Sequence, residues 1–217
     1  EMMHIRDKAV WAAPSAELID IANADAQTSP LPNFGEPKKT YLPAKGTAKK
    51  IKVPEGYGIG LFASNEQFPD LANPVQLSFD NKGRLWVATM PSYPHYKPGD
   101  AKPNDKLLIL EDTDNDGRAD KQTIFADGLH LPMGFEFGTD GVYVSQGYSL
   151  VYLRDTDGDD RADETEIVLS GFDDHDTHHA ISGFCADPSG AIYMGEGTFL
   201  HSNVETAYGT IRSSNGG

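Results

Sequence analysis

From Ile51 onward the apolar residues fall in short runs of β-branched and aromatic side chains, each closed by Gly, Asn, Asp or Pro, as in Ile59-Gly-Leu-Phe-Ala63 and Arg84-Leu-Trp-Val-Ala88. Runs of this length with this punctuation predict strands joined by tight turns. Three stretches align with one another: Asn73-Pro-Val-Gln-Leu-Ser-Phe79 ahead of Gly83, Leu131-Pro-Met-Gly-Phe-Glu-Phe137 ahead of Gly141, and Ala180-Ile-Ser-Gly-Phe184 ahead of Gly190. Each predicts a strand, a glycine turn and a second strand, the second strands covering 85–89, 142–145 and 191–194. After the first two copies the pattern predicts another hairpin, 107–111 with 122–126 and 151–154 with 166–170.

Four short antiparallel strands repeated at a period of about 40 to 45 residues predict an all-β fold, a β-propeller with four-stranded blades. Only about three blades can be counted, whereas closed propellers take about four to eight, so residues 51–217 are expected to be a partial propeller. Residues 213–217 have the composition of a turn leading into a further strand. Residues 1–50 differ in character and are expected to be an N-terminal extension. It would hold a short helix over 14–27, with Ser15 and Glu17 near its start, and a Pro/Lys/Gly-rich linker over 29–50.

The hairpin turns carry the sharpest repeat. Asp112, Asp114, Asp116 and Asp120 return as Asp155, Asp157, Asp159 and Asp163, within Leu-Glu-Asp-Thr-Asp-Asn-Asp-Gly-Arg-Ala-Asp and Leu-Arg-Asp-Thr-Asp-Gly-Asp-Asp-Arg-Ala-Asp. Four carboxylates in nine residues repel one another unless a cation sits among them, and oxygen-only ligands in a flexible loop suit calcium. The EF-hand pattern is matched at positions one, three and five only, position twelve being Thr123 in the first loop and Glu166 in the second. Asp160 stands at position six of the second loop, where the first has Gly117. The structural alternative is a pair of Asx-turn hairpins with solvated acids.

Composition narrows the function. The 217 residues carry a formal charge of −15. A nucleic-acid surface needs a basic stripe, so nucleic acid is not an expected partner. No apolar stretch is long enough to span a membrane, and Glu1-Met-Met-His-Ile-Arg-Asp7 lacks a signal-peptide core. The single cysteine, Cys185, excludes an internal disulfide; it sits in an apolar run and is expected to be buried. Without Cys-x-x-Cys-His no c-type haem attaches to this chain.

Asp173-Asp-His-Asp-Thr-His-His179 is the densest group of candidate bases and ligands. His179 aligns with His130, each just ahead of a predicted innermost strand, where neighbouring blades surround the mouth of a channel. His130, His178 and His179 are therefore the candidate catalytic residues, able to share a metal, meet a cofactor or take a hydroxyl proton. A zinc site from His175, His178 and His179 is a weaker alternative. The insertion 91–105, with Tyr93, His95 and Tyr96, is a candidate flap or a solvated loop.

Two resemblances extend this reading. The aspartate spacing resembles the nine-residue calcium loops of integrin α-subunit propellers, which implies backbone carbonyl ligands at Arg118 and Arg161. The run from His179 through Pro188, Ile192, Tyr193 and Gly197 resembles the catalytic-histidine segment of soluble quinoprotein glucose and sorbosone dehydrogenases; Gly183 stands at that family's arginine and Thr198 at its final acid. Residues 51–217 also resemble the membrane-bound dehydrogenases of planctomycetes and verrucomicrobia. That likeness rests on Val53-Pro-Glu-Gly-Tyr57, Gly83-Arg-Leu-Trp-Val87, Leu110-Glu-Asp-Thr-Asp114, Phe125-Ala-Asp-Gly-Leu129 and Tyr152-Leu-Arg-Asp-Thr-Asp157.

These resemblances imply an extracytoplasmic, calcium-stabilised dehydrogenase oxidising a sugar or other alcohol. His179 would be the base, with Asp176 holding its tautomer, and His130 and His178 would orient substrate or cofactor. They further imply pyrroloquinoline quinone as cofactor and an electron acceptor such as a cytochrome c domain, its haem c lying outside this chain. The rival expectation is a non-enzymatic, calcium-dependent propeller module that binds a glycan or a protein.

Overall fold

The computed structural model describes residues 42–94 and 101–213. The expected helix over 14–27 and residues His95 and Tyr96 of the insertion lie outside these. Within the expected linker, Ala44–Ala48 forms a single helical turn, α1.

The rest is β structure. The first sheet has the order β1-β2-β3-β4, built from Pro74–Phe79, Leu85–Thr89, Asp105–Glu111 and Lys121–Leu129, all antiparallel. The second repeat gives β5 (Phe135–Phe137), β6 (Gly141–Gln146), β7 (Ser149–Arg154) and β8 (Glu164–Ser170), again antiparallel in sequence order. Both hairpin pairs fall where the self-alignment places them.

The third repeat departs from a four-stranded blade. β9 (Ser182–Ala186) and β10 (Ile192–Gly195) form their own two-stranded sheet after a 3₁₀ turn over Thr177–His179. The hairpin β11 (Asn203–Thr206) and β12 (Gly209–Arg212) instead joins the second sheet, making it six-stranded in the order β12-β11-β8-β7-β6-β5. Its register contact is Glu205 opposite Ser170, reinforced where Asn203 N–H donates to the Gly171 carbonyl at 2.8 Å. No sheet of the described residues closes on itself.

Register sorts each sheet into two faces. In the first sheet Leu77 lies opposite Val87 and Phe79 opposite Leu85, while Gln76 and Ser78 lie opposite Ala88 and Trp86. The Trp86/Ala88/Leu107/Ile109 face packs on Phe135, Val142, Val144, Val151 and Leu153 of the second sheet, forming the main core. Trp86 contacts Phe125 and Phe137 with ring centroids 4.6 and 5.3 Å apart, within the range of favourable aromatic pairing. The opposite face of the second sheet, with Leu150 and Tyr143, packs on Phe184, Ile192 and Met194 of the third unit.

Two strand and burial expectations are corrected. Residues 59–63 form no strand, although Phe62 and Ala63 pack with Leu85, Val87, Leu110 and Ala119. Gly58 and Gly60 flank Ile59, and among the described residues no neighbouring strand supplies a ladder. Cys185 is exposed, not buried, because it sits on the face of β9 that no sheet of the described residues covers. Among the described residues no helix is long and apolar enough to cross a membrane.

Candidate functional site

The two aspartate loops share one backbone. Positions four and six are left-handed in both: Asn115 (φ 60°) and Gly117 (φ 85°) in the first, Gly158 (φ 81°) and Asp160 (φ 65°) in the second. Asp160 therefore makes the turn that Gly117 makes, since a short Asp side chain tolerates this region.

With that backbone the first carboxylate turns inward. Asp112 accepts N–H bonds from Asp116 and Gly117 at 3.1 and 2.8 Å, and Asp155 from Gly158, Asp159 and Asp160 at 2.7, 3.2 and 2.8 Å. The ninth residue closes back: Asp120 accepts from the Thr113 N–H and hydroxyl at 2.8 and 2.9 Å, and Asp163 from the same groups of Thr156 at 3.2 and 2.9 Å. Asp112, Asp114 and Asp120 bring one ligand oxygen each to within 4.8 Å of one another, as do Asp155, Asp157 and Asp163. Oxygens on opposite sides of a calcium ion with bonds of about 2.4 Å lie about 4.8 Å apart, so each triplet fits one coordination shell. Asp116 and Asp159, expected as ligands, belong to neither triplet; the Asp159 carboxylate accepts the Arg161 N–H at 2.9 Å.

Hydrogen bonds favour the ionised form of one carboxyl in each loop. The Thr113 N–H and hydroxyl hold the Asp120 carboxyl below its ordinary range. Burial pushes Asp155 upward, but the N–H groups of Asp160, Gly158 and Asp159 outweigh it and leave the carboxyl lowered.

The loops also tie units together, a role the sequence reading missed. Ala162 N–H donates to the Phe125 carbonyl of β4 at 2.7 Å, and Ala119 N–H donates to the Phe62 carbonyl at 2.9 Å. Arg84 spans the first junction, its Nε 2.8 Å from Asp80 and its Nη1 2.8 Å from Asp160. A cleft of about 460 Å³ opens beside Asp80, Arg84, Trp86, Asp140 and Asp160. The repeated Arg-Ala-Asp in both loops was the available signal for the alanine contacts.

The histidines divide into separate groups. Asp176 places Oδ1 2.7 Å from His178 Nδ1 and Oδ2 3.0 Å from His179 Nδ1, and the two rings are 4.1 Å apart. Gly197 lies against the His179 ring, where any side chain would collide, and its N–H donates to the His179 carbonyl at 2.8 Å. His179 Nδ1 is buried without a directed hydrogen bond, the Asp176 oxygen lying off the N–H direction. His130 is not in this group; its ring sits beside Gly147 next to the carboxylate of Asp174, which belongs to the same acidic loop. His175 pairs with Asp173 at 2.7 Å and stands outside the Asp176/His178/His179 group.

Asp173 is the anchor of this loop. Burial opposes its ionisation, but N–H bonds from His201 and His175 and the His175 ring lower its pKa to about 2. The same hydrogen bond raises His175. The Ser202 hydroxyl meets Glu196 nearby and also accepts the Asp173 N–H at 2.8 Å.

Among the described residues, Asp173, Asp174, Asp176 and Glu196 lie at the histidine loop, and their carboxylates would repel those of a pyrroloquinoline quinone, so they do not suit that group. Gly183, at the position of the resembled family's arginine, adopts φ 63° and offers no side chain.

The model of the family described as Domain of unknown function (DUF7133) matches residues 43–215, and the chain belongs to that family. No curated protein matches the chain.

Proposed function

From this family membership, which carries no activity with it, we propose that the chain is a section of a β-propeller pinned by calcium at its two aspartate loops. Its acidic histidine loop would bind a neutral, hydroxyl-rich ligand such as a glycan. The observation that carries the proposal is the pair of carboxylate triplets, each within 4.8 Å, held on one repeated backbone. Calcium would offset two of the three negative charges of each triplet and fix a loop that already bonds to the preceding unit, so its contribution is structural. Loops of this kind on extracellular modules bind at about 10⁻⁴ to 10⁻³ M, which suits an extracytoplasmic setting.

The test is thermal unfolding with calcium and with chelator. Saturating calcium at about 100 times Kd adds about 2.7 kcal/mol per site, and D112N with D155N removes the response. Identical unfolding in chelator and in about 100 mM calcium, which is 100 times the weaker of these Kd values, refutes the metal assignment.

A second reading, oxidation of a sugar or other alcohol, is favoured by Asp176 against both imidazoles. The Asp176 carboxylate would stabilise the imidazolium that forms when His179 Nε2 takes the hydroxyl proton, with His178 beside it and His130 on the neighbouring unit. Hydride would pass to an external two-electron acceptor such as a diffusible quinone, which would then give up its electrons one at a time to a cytochrome c domain, the sink that the resemblance implies. A panel of sugars with an artificial electron acceptor tests it: turnover lost in H179N supports it, and no turnover of any sugar removes it.

A further inference from the structure

We propose that Asp176, His178 and His179 hold a divalent first-row transition metal, with its remaining coordination positions open to solvent. The three residues bring one ligand atom each to within 4.8 Å of one another. Imidazole nitrogen suits zinc, copper, iron and nickel, whereas calcium takes oxygen ligands. The site is therefore different in kind from the two aspartate loops. His175, which the sequence spacing offers as a third histidine, is engaged by Asp173 at 2.7 Å and lies outside the group.

Distances and directions fit a metal. The Asp176 carboxylate stands 2.7 Å from His178 Nδ1 and 3.0 Å from His179 Nδ1. Two ligands at right angles on an ion with bonds of about 2.1 Å lie about 3.0 Å apart, and each aims its lone pair about 45° away from the other. His179 shows such an offset: its Nδ1 is buried, and the carboxylate beside it is off the line that an N–H would take. A neutral ring nitrogen without its proton and a carboxylate oxygen are both acceptors and repel at this distance, and a proton off the line relieves little of that. A cation beside the contact satisfies the nitrogen and the oxygen together.

The backbone holds these groups without help from an ion. The turn Thr177–His179 closes with the His179 N–H on the Asp176 carbonyl at 2.9 Å. The Thr177 hydroxyl ties it to the Pro94 carbonyl at 3.2 Å, and Ala180 and Ile181 are buried just beyond it. Gly197 packs on the His179 ring and leaves it little room to swing away. The His178 side chain is 56% exposed, so solvent reaches the site.

Metal binding here would take the place of proton abstraction. An imidazole bound through Nδ1 keeps its proton on Nε2, so His179 would not accept a hydroxyl proton there. The open positions would receive water or the hydroxyls of a ligand; that last step rests on the proposed hydroxyl-rich ligand, and metal binding itself does not.

The experiment titrates the full 217-residue chain with zinc by calorimetry and with cobalt by visible absorption and proton NMR, at about pH 7.5, where free imidazole is neutral. The D112N/D155N chain is titrated in parallel, which takes the aspartate loops out of the reading. One zinc should bind per D112N/D155N chain, and cobalt should give a visible band and shift the ring protons of His178 and His179. H178N and D176N should each weaken zinc by more than about 100-fold, beyond the 10- to 100-fold that losing a partner hydrogen-bonded to a ligand costs. H175N should bind as the parent does. His178 is exposed enough that H178N should keep the parent's circular dichroism. Absence of zinc and cobalt binding up to about 1 mM overturns the proposal. Binding indifferent to H178N or to D176N overturns it, as does binding lost in H175N or in D112N/D155N. A site kept in D112N/D155N and lost in H178N stands even where calcium leaves unfolding unchanged, so failure of the calcium reading and failure of this one are told apart.

Discussion

Arg84 offers the most discriminating test of how the two main sheets are joined. Its side chain is 12% exposed and bonds Asp80, on the β1–β2 turn, and Asp160, in the second aspartate loop. Replacing it with methionine keeps the aliphatic stem and removes both charged contacts. Removing one partner of a buried ion pair costs about 3–5 kcal/mol when the other charge is stranded. Here the stranding is partial. Asp80 keeps the Trp86 indole N–H at 3.0 Å and the backbone N–H groups of Lys82 and Arg84, both at 2.9 Å, while Asp160 is 30% exposed and regains water. We therefore expect R84M to cost about 2–3 kcal/mol, lowering Tm by roughly 4–12 °C for a domain of this size. R84K should lose about half as much, because one ammonium cannot span both carboxylates. Urea denaturation of R84M, D160N and the double variant should give a coupling of about 1 kcal/mol. R84M within about 0.5 kcal/mol of the parent, or full additivity with D160N, would refute the clasp.

Three further outcomes follow from the geometry. Phe135→Ala, in the aromatic centre of the main core, should cost about 3–5 kcal/mol in the same assay, while Tyr208→Ala, fully exposed, should cost nothing measurable. Gly171→Ala should destabilise the β8–β11 junction: Gly171 has φ 100° and an added Cβ meets the Asn203 carbonyl, so β11 and β12 should exchange amide hydrogens faster while β6 and β7 do not. For Asp173 the folded pKa of about 2 lies below the ordinary 3.8, so its stabilisation is present above pH 4 and lost as pH falls toward 2. It is worth on the order of 2 kcal/mol before solvent screening reduces it. His175, raised by the same bond, adds stability below its unfolded value and loses it as pH rises through the folded one. D173N should flatten the acid limb of the unfolding profile.

The repeat made much of the fold legible, because strand punctuation and the aspartate turns recur together. Leu85–Thr89 was read to the residue, and the hairpins around both aspartate loops fell within two or three residues of their observed ends. The readings that failed depended on partners remote in sequence. Residues 59–63 have strand composition but no ladder, and Cys185 has an apolar neighbourhood in sequence but an uncovered face in space. At the site, spacing brought Asp112, Asp114 and Asp120 together with their counterparts, yet could not tell that Asp116 and Asp159 would lie outside the triplets. His130 and His179 align in the repeat but meet different carboxylates, Asp174 and Asp176 of the same loop. The Asp80–Arg84–Asp160 clasp joins residues 76 positions apart, and Asp160 looked in sequence like a flaw in a calcium loop.

The opposite arrangement of residues in the two turns bears on how such motifs diverge. Asn115-Asp-Gly117 and Gly158-Asp-Asp160 trace the same path with the permissive residue at opposite ends. Selection on such a turn acts on dihedral angles, so the glycine is free to wander between two sites as long as a small polar side chain takes its former place. A search keyed to the glycine would overlook one of every such pair, and a count of duplicated loops in distant homologues would come out too low.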